Sequence, residues 1–389
     1  MKSPEMTAIE LFSGAGGLSI GLEQAGFNII LANEIENDFA ETFCLNHPDT
    51  KVLCADIHSI DFQEEIRCLG LKKVSLVSGG PPCQGFSTVG SKNRKDPRNS
   101  LFYEYLRAVK EIDPDYVIFE NVSGFKRMYN GEAYHGLLNE LDILGYSTHS
   151  DILEASDFGL PQIRQRTIVI GWKKHLSEVS LPVPTHADSS NLFGRPLKLS
   201  LMDAISDLPP LGANDSNNRY ATLPMNEYQE KLRGNAKTLT EHNSSNYGDK
   251  MKEILSLIPE FGSVNDLPER LRPKKYFSNT YARLHPNRLS PTITRNFGTP
   301  SSSRCVHPYQ NRALSTREGA RLQGFPDSYR FFGSKTSKNL QIGNAVPPVF
   351  GEVVAREIIE SMSQMENDLI QNENASNELL HMEARFASL

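Results

Sequence analysis

The sequence predicts an α/β protein, a doubly wound and mostly parallel sheet accompanied by a smaller, irregular domain. Three observations carry this expectation. Strand-like apolar runs alternate with helix-like segments through the first 172 residues, the pattern of a parallel sheet covered on both faces. From about Lys173 to Leu284 the alternation weakens, helix signals shorten, and Pro, Asn, Ser and Gly become frequent. Periodicity then returns in Ser315–Leu322 and Val349–Met362. The expected division is therefore residues 1–172 for a ligand-binding sheet domain and 173–284 for the irregular domain. Residues 285–362 return to the sheet domain, and 363–389 form an acidic polar tail.

Ala8–Phe12 is the first strand, and the glycine-rich Ser13–Gly17 turns from it into a helix through Gln24. Asn28–Ala32 is the second strand, followed by a helix around Asp38–Asn46 and a strand at Lys51–Ala55. The β-branched run Val74–Ser78 is the fourth; it ends in Gly79-Gly80 and turns through Pro81-Pro82 into Cys83. A helix near Ser100–Lys110, the strand Tyr116–Phe119, a helix near Tyr134–Leu144 and the strand Thr167–Trp172 complete the alternation. Right-handed crossovers place all these strand ends on one edge, where open α/β sheets carry ligands and chemistry. Ser315-Thr316-Arg317-Glu318 is a capping box that opens the next helix. The chain contains no internal repeat, and beyond about Gln364 it reads as a mobile or loosely helical tail.

Composition narrows the class. No apolar stretch approaches a membrane span, and strand-like sequence begins by Ala8, which leaves no room for a signal peptide. The five cysteines are odd in number and lack CxxC spacing, which argues against a disulfide framework or a metal site and fits a cytoplasmic protein. The net charge of −6 discourages a nucleic-acid partner, but its distribution reverses that. Nine Lys/Arg and one acid lie between Glu269 and Arg312, and four bases and one acid lie in Lys92–Arg98. The last thirty residues hold six acids and one Arg. A basic face opposed by an acidic tail suits a polyanion.

The strand ends carry the chemistry. After the first comes Phe12-Ser13-Gly14-Ala15-Gly16-Gly17, whose glycines allow a ligand to approach N–H groups at a helix start. After the second comes Glu34, twenty residues beyond Gly14, an offset at which an acid commonly bonds ribose hydroxyls. After the third comes Asp56-Ile57, suited to an adenine amino group and ring. Together these suggest an adenosine-containing ligand. Cys83, Glu120 and Arg164 of Gln162-Ile163-Arg164-Gln165-Arg166 then face one cleft beside it, where a shared site would satisfy all three. A thiolate added to C6 of cytosine makes C5 nucleophilic, a carboxyl at N3 and the amine offsets ring charge, and arginine near O2 orients the base. The base must first be flipped from its duplex, and the basic loop Gly85–Asn99 beside the thiol has the composition for that task.

These residues resemble the bacterial-type DNA (cytosine-5) methyltransferases over Thr7 to about Arg356, the middle excepted. The carrying motifs are Leu11–Gly17, Gly80–Gln84, Glu120–Val122, Gln162–Arg166, Arg288–Thr294 and Gln341–Pro348, in the family's order. The resemblance implies a Rossmann-like methyltransferase sheet, S-adenosyl-L-methionine as cofactor and double-stranded DNA as substrate. It also implies a monomer, with a cognate restriction endonuclease as a candidate partner. It makes Cys83 the nucleophile, Glu120 the contact to N3 and the amine, and Arg164 and Arg166 the holders of the flipped base. Phe12, Gly14, Gly16, Gly17, Leu18, Glu34, Ile35, Asp56, Ile57, Pro82 and Asn344 would contact cofactor. Ser87, Lys92, Arg94, Lys95 and Arg98 would contact DNA, residues 173–284 would be the target-recognition domain, and the basic stretch after it would contact phosphates. Ile35 departs from the family, which often places an aromatic beside the adenine there. A tRNA methyltransferase of the same superfamily, a nicotinamide-dependent oxidoreductase and a non-catalytic DNA-binding homologue are the rival readings. The Gly85-Phe86-Ser87 continuation and the long middle region weigh against the first. Pro-Pro-Cys with Glu-Asn-Val weighs against the second, and the presence of both Cys83 and Glu120 against the third.

Overall fold

The computed structural model describes residues 6–82, 100–189, 194–212, 214–301 and 305–365. Its centre is a seven-stranded sheet: β1 (Thr7–Leu11), β2 (Asn28–Glu34), β3 (Lys51–Cys54), β4 (Leu76–Gly79), β5 (Tyr116–Val122), β6 (Tyr146–Glu154) and β7 (Gln165–Lys173), in the order β3-β2-β1-β4-β5-β7-β6. The first five pair in parallel, while β7 runs antiparallel to both β5 and β6. Every residue of β1 is buried, as a central parallel strand requires.

Two sequence expectations are corrected here. Not all strand ends share one edge. Arg166 pairs with Val122 and Trp172 with Tyr116, so the end of β7 lies on the far edge and the residues preceding it reach the near one. A strand at Tyr146–Glu154 was also not anticipated. It is an edge strand, mostly half-buried, and its polar YSTHSDILE carries no apolar run because only one neighbour pairs with it. In addition β2 extends to Glu34, so that acid closes the strand rather than following it.

Alternation along the strands feeds two apolar layers. Ile9, Leu11, Val77, Val117 and Phe119 meet Phe102, Tyr105 and Val109 of α4 (Ser100–Ile112) and Leu137 and Leu141 of α5 (Glu132–Ile143) on one face. Ala8, Ile29, Ile118 and Ile170 on the other face meet Leu18 and Leu22 of α1 (Gly17–Ala25), and Phe350, Val354 and Ile358 of a helix over residues 348–365. That last helix needs glycine to seat. A Cβ on Gly17 would stand 2.3 Å from the Val346 carbonyl, and one on Gly21 would stand 1.9 Å from that of Pro348. The chain returning from the irregular region thus lies directly on α1.

The irregular region has two parts. Leu201, Ala204, Ile205, Leu208 and Leu239 share a core with Ile293, Phe297, Leu322 and Ile342 of the returning chain and with Ala15 and Ile20. Ile254, Ile258, Val264, Leu267, Leu271 and Tyr281 form a smaller core of their own. The helix α6 (Thr316–Leu322) is buried along its whole length, arginines included. Its expected capping box is present: Ser315 Oγ accepts from the Glu318 N–H, and the Ser315 N–H donates to Glu318. The Glu318 carboxylate also takes two 2.7 Å bonds from Arg312, and Arg321 is paired with both Asp207 and Asp327. Buried ions of this kind hold only when fully partnered.

Candidate active site

At the carboxyl edge of β1–β5, a cavity of about 450 Å³ opens, a size suited to a cofactor. On the β1–β3 side its wall includes Phe12, Gly14, Ala15, Leu18, Glu34, Ile35, Asp56 and Ile57. On the β4, β5 and β7 side it includes Gly80, Pro81, Pro82, Glu120, Asn121, Val122 and Arg166, and the returning chain adds Gly343 to Val346. Most of the residues singled out in the sequence therefore meet in one space.

The turn after β1 is fixed from several directions. Phe12 and Gly14 have φ of 55° and 57°, in the left-handed region that side chains seldom adopt. The Gly14 N–H donates to Glu34 Oε2 at 2.8 Å, while Glu34 Oε1 accepts from the N–H groups of Ile35 and Glu36. Burial raises the Glu34 pKa, and these donors oppose that rise. Asp56 Oδ1 accepts from the His58 N–H and faces His58 Nδ1 at 2.7 Å, which holds its pKa below the usual carboxylate value and leaves Oδ2 for a ligand. Ile57 is buried beside it, and Ile35 stands exposed at the rim. Gly16 and Gly17 are not in the wall: Gly16 caps α1 at φ 78°, and Gly17 makes room for Val346.

On the other side, β5 delivers Glu120 and Asn121. The Asn121 amide donates to the Pro81 carbonyl at 3.0 Å, tying β5 to the Pro-Pro turn. Gly80 lies so close to Glu120 that a Cβ there would stand 2.7 Å from Oε2. Arg166 Nε is 2.7 Å from Glu120 Oε1. The pair is ionic rather than a well-aligned hydrogen bond, since Oε1 has no partner of acceptable angle among the described residues. Burial raises the Glu120 pKa, and Arg166 and then Arg164 partly offset it. Burial thus disfavours the charged form of this carboxyl, and the two arginines favour it.

Arg164 takes a different place from the one expected. It is 1 % exposed and absent from the wall. Its Nη1 donates to the Ile293 carbonyl at 3.0 Å, and its Nη2 donates to those of Gly343 and Ala345 at 3.1 and 2.8 Å. Arg164 was expected to face the cleft with Cys83 and Glu120; Arg166 lines it beside Glu120 instead, while the two terminal nitrogens of Arg164 are spent on carbonyls of the returning chain and its Nε has no partner among the described residues. Cys83 and the DNA-contact candidates Ser87, Lys92, Arg94, Lys95 and Arg98 lie outside the described residues. The basic stretch after Glu269 also divides. Arg283 is spent on the carbonyls of Leu255, Ile258, His307 and Gln310 and Arg312 on Glu318, whereas Lys274, Lys275, Arg288 and Arg295 are exposed.

Sequence reasoning missed Glu10. It lines the cavity from within β1, bonds the Ser19 hydroxyl, and burial pushes its pKa up to about 8. An acid inside an otherwise apolar strand just before a glycine-rich turn was the available signal. Among the described residues no cluster of side chains could hold a metal ion, and no helix is long and apolar enough to cross a membrane.

The family described as C-5 cytosine-specific DNA methylase matches residues 6–360. The type II methyltransferase M1.HphI of Haemophilus parahaemolyticus is 35 % identical over 91 % of this chain and 87 % of its own length. M.DdeI of Desulfomicrobium norvegicum is 34 % identical over 91 % and 88 %. Among solved structures, a proposed DNA modification methyltransferase encoded within an E. coli prophage aligns over 92 % of this chain and 99 % of its own, at 27 % identity and a TM-score of 0.75.

Proposed function

Because the chain belongs to the C-5 cytosine-specific DNA methylase family, we propose that it methylates C5 of a flipped-out cytosine in a specific duplex sequence, with S-adenosylmethionine as donor and Cys83 as transient nucleophile. The observation that carries this reading is the single cavity whose wall runs from Phe12, Glu34, Asp56 and Ile57 to Glu120 and Arg166, with the Gly80-Pro81-Pro82 turn leading to residue 83.

The residues present fit the cofactor. Ile57 and Ile35 offer apolar surface to an adenine, Asp56 Oδ2 an acceptor to its amine, and Glu34 an acceptor to ribose hydroxyls. The Ser13 hydroxyl is buried without a partner among the described residues, beside the N–H groups that open α1. When bound, S-adenosylmethionine supplies the electrophilic methyl group. The chain supplies the rest. The Cys83 thiolate bonds to C6, and the electron pair of the C5–C6 double bond moves toward C5 and N3. Glu120 in its protonated form, which burial favours, donates to N3 and accepts from the exocyclic amine, while Arg166 holds Glu120 and faces O2. The activated C5 takes the methyl as its bond to the donor sulfur breaks, leaving S-adenosylhomocysteine; water takes the C5 proton as the C6–S bond breaks, which frees the thiolate and restores the C5–C6 double bond. Residues 173–284 are proposed to read the bases, and Lys274, Lys275, Arg288 and Arg295 to contact phosphates. Kinship with type II methyltransferases suggests a cognate restriction endonuclease acting at the same site.

Duplex DNA carrying 5-fluorocytosine in varied contexts tests this. Cofactor and protein should form a methylated adduct that survives denaturant and vanishes in Cys83→Ser. Folded, cofactor-binding protein that forms no adduct in any context would refute the DNA assignment.

A further inference from the structure

The turn that carries the cofactor wall is held from behind by three side chains distant in sequence. His47 caps the C-terminus of α2 (Asn37–Asn46) and is buried. Its Nδ1 faces Glu23 Oε1 at 2.8 Å, and its Nε2 faces the Tyr329 hydroxyl at 3.1 Å. That hydroxyl lies 2.5 Å from the Ala15 carbonyl oxygen. Tyr329 is itself buried among Phe325 and Phe331, and burial raises its pKa well above the usual value, so it keeps its proton.

Counting donors fixes the direction of the bonds at Tyr329. A carbonyl can only accept, so the one Tyr329 proton points at Ala15; two oxygens at 2.5 Å without a proton between them would repel. The Tyr329 oxygen must then accept from His47 Nε2–H. We propose that Glu23, His47 and Tyr329 form a hydrogen-bonded positioning relay that sets the Ala15–Gly16 peptide and thereby the affinity of the adjacent cofactor wall. This rests on the cofactor reading given above.

The peptide plane explains the reach of the relay. The carbonyl of Ala15 and the N–H of Gly16 belong to one planar trans unit and point oppositely. The carbonyl is held by Tyr329, and the N–H donates to the Ser13 carbonyl at 3.0 Å. Rotation of this plane would move Ala15 and Ser13, both in the cavity wall. The relay also presses on Gly16, where a Cβ would stand 2.6 Å from the Tyr329 hydroxyl and 2.8 Å from His47 Nε2.

Tyr329→Phe removes the hydroxyl and keeps the ring. The expected result is a rise of about tenfold in both the KM for S-adenosylmethionine and the Kd for S-adenosylhomocysteine, the scale of one well-made hydrogen bond. The KM for DNA, and kcat at saturating cofactor, should stay within about twofold. Glu23→Gln, at an exposed position, should shift the same constants in the same direction by less, and serves if the first variant folds poorly. In the wild type, nitrogen NMR of His47 should show Nε2 protonated. An unchanged cofactor KM in both variants, a parallel loss of kcat and both KM values, or a bare acceptor Nε2 on His47 would overturn the relay. Failure of the wild type to bind either cofactor form would instead sink the cofactor reading.

Discussion

The two neighbouring arginines before β7 should fail in opposite ways. Arg164→Lys keeps a cation but replaces a fork by one ammonium. The native guanidinium reaches Ile293 with one nitrogen and Gly343 and Ala345 with another, and a lysine cannot span both positions. At roughly 1.5–3 kcal/mol for each bond from a charged donor, loss of one or two costs about 2–5 kcal/mol, a large part of an ordinary stability of about 5–15 kcal/mol. Because Gly343 and Ala345 line the cavity, cofactor affinity should fall as well. Arg166→Lys should behave otherwise. Its main partner is Glu120, and a lysine keeps a cation near that carboxyl, so no charge is stranded. Its stability cost should be smaller than that of Arg164→Lys, while kcat falls roughly 100-fold through loss of an oriented charge at the base. Thermal unfolding of the cofactor-free proteins, paired with steady-state methyl transfer to duplex DNA, separates the two. If Arg164→Lys unfolds like wild type yet loses kcat alone, or if Arg166→Lys is the less stable variant, the division of labour is wrong.

The buried acid of β1 should make stability fall with rising pH. Glu10 is raised from 4.5 to about 8, so between those values the unfolded chain has released a proton that the folded chain retains. Stability contributed by this group should drop by about 1.4 kcal/mol per pH unit across that window, and chemical denaturation of Glu10→Gln should lack this component. Gly17→Ala places a methyl 2.3 Å from the Val346 carbonyl. A displacement of the closing chain should cost about 1–3 kcal/mol and raise the cofactor Kd with little change in DNA affinity, readable by calorimetry. Arg321→Met strands Asp207 in the interior and leaves Asp327 with only Tyr220 and Arg317, and should cost about 3–5 kcal/mol. Arg321→Met together with Asp207→Asn and Asp327→Asn should recover part of that loss in the same unfolding assay.

The sheet was legible because its central strands are buried on both faces. Ala8, Ile9, Val77, Val117 and Ile118 read as apolar runs from composition alone. The site was legible because each glycine, acid or proline after such a run is anomalous there. What stayed hidden is what periodicity does not encode. The edge strand β6 has too few neighbours to need an apolar sequence. The direction of β7 is set by how β6 returns alongside it, which the residues of β7 do not reveal. The helix over Lys335–Asn344 was missed because KTSKNLQIGN is polar on most of its surface, and its buried Asn339 and Gln341 bond Thr316 and Thr42 rather than pack in oil. Charge alone could not say which arginines in the stretch from Glu269 to Arg312 serve the interior, because Arg283 and Arg295 differ only in what surrounds them.

The reversal of β7 has a functional consequence that a uniformly parallel sheet would lack. In a parallel arrangement, residues preceding a strand lie on the edge opposite the ligand, and Arg164 and Arg166 would be a strand's length from Glu120. Running antiparallel to β5, β7 instead begins where β5 ends, with Arg166 in register with Val122. Side chains two apart on a strand share a face, but Arg164 lies just before the strand proper and departs from that register toward Gly343 and Ala345. One short segment thus supplies both the cation that partners Glu120 and the cation that anchors the chain closing the cavity wall. Cofactor closure and acid placement are therefore mechanically joined at residues 164–166, and a substitution there that moves the backbone should disturb both constants together even when it leaves either arginine in place.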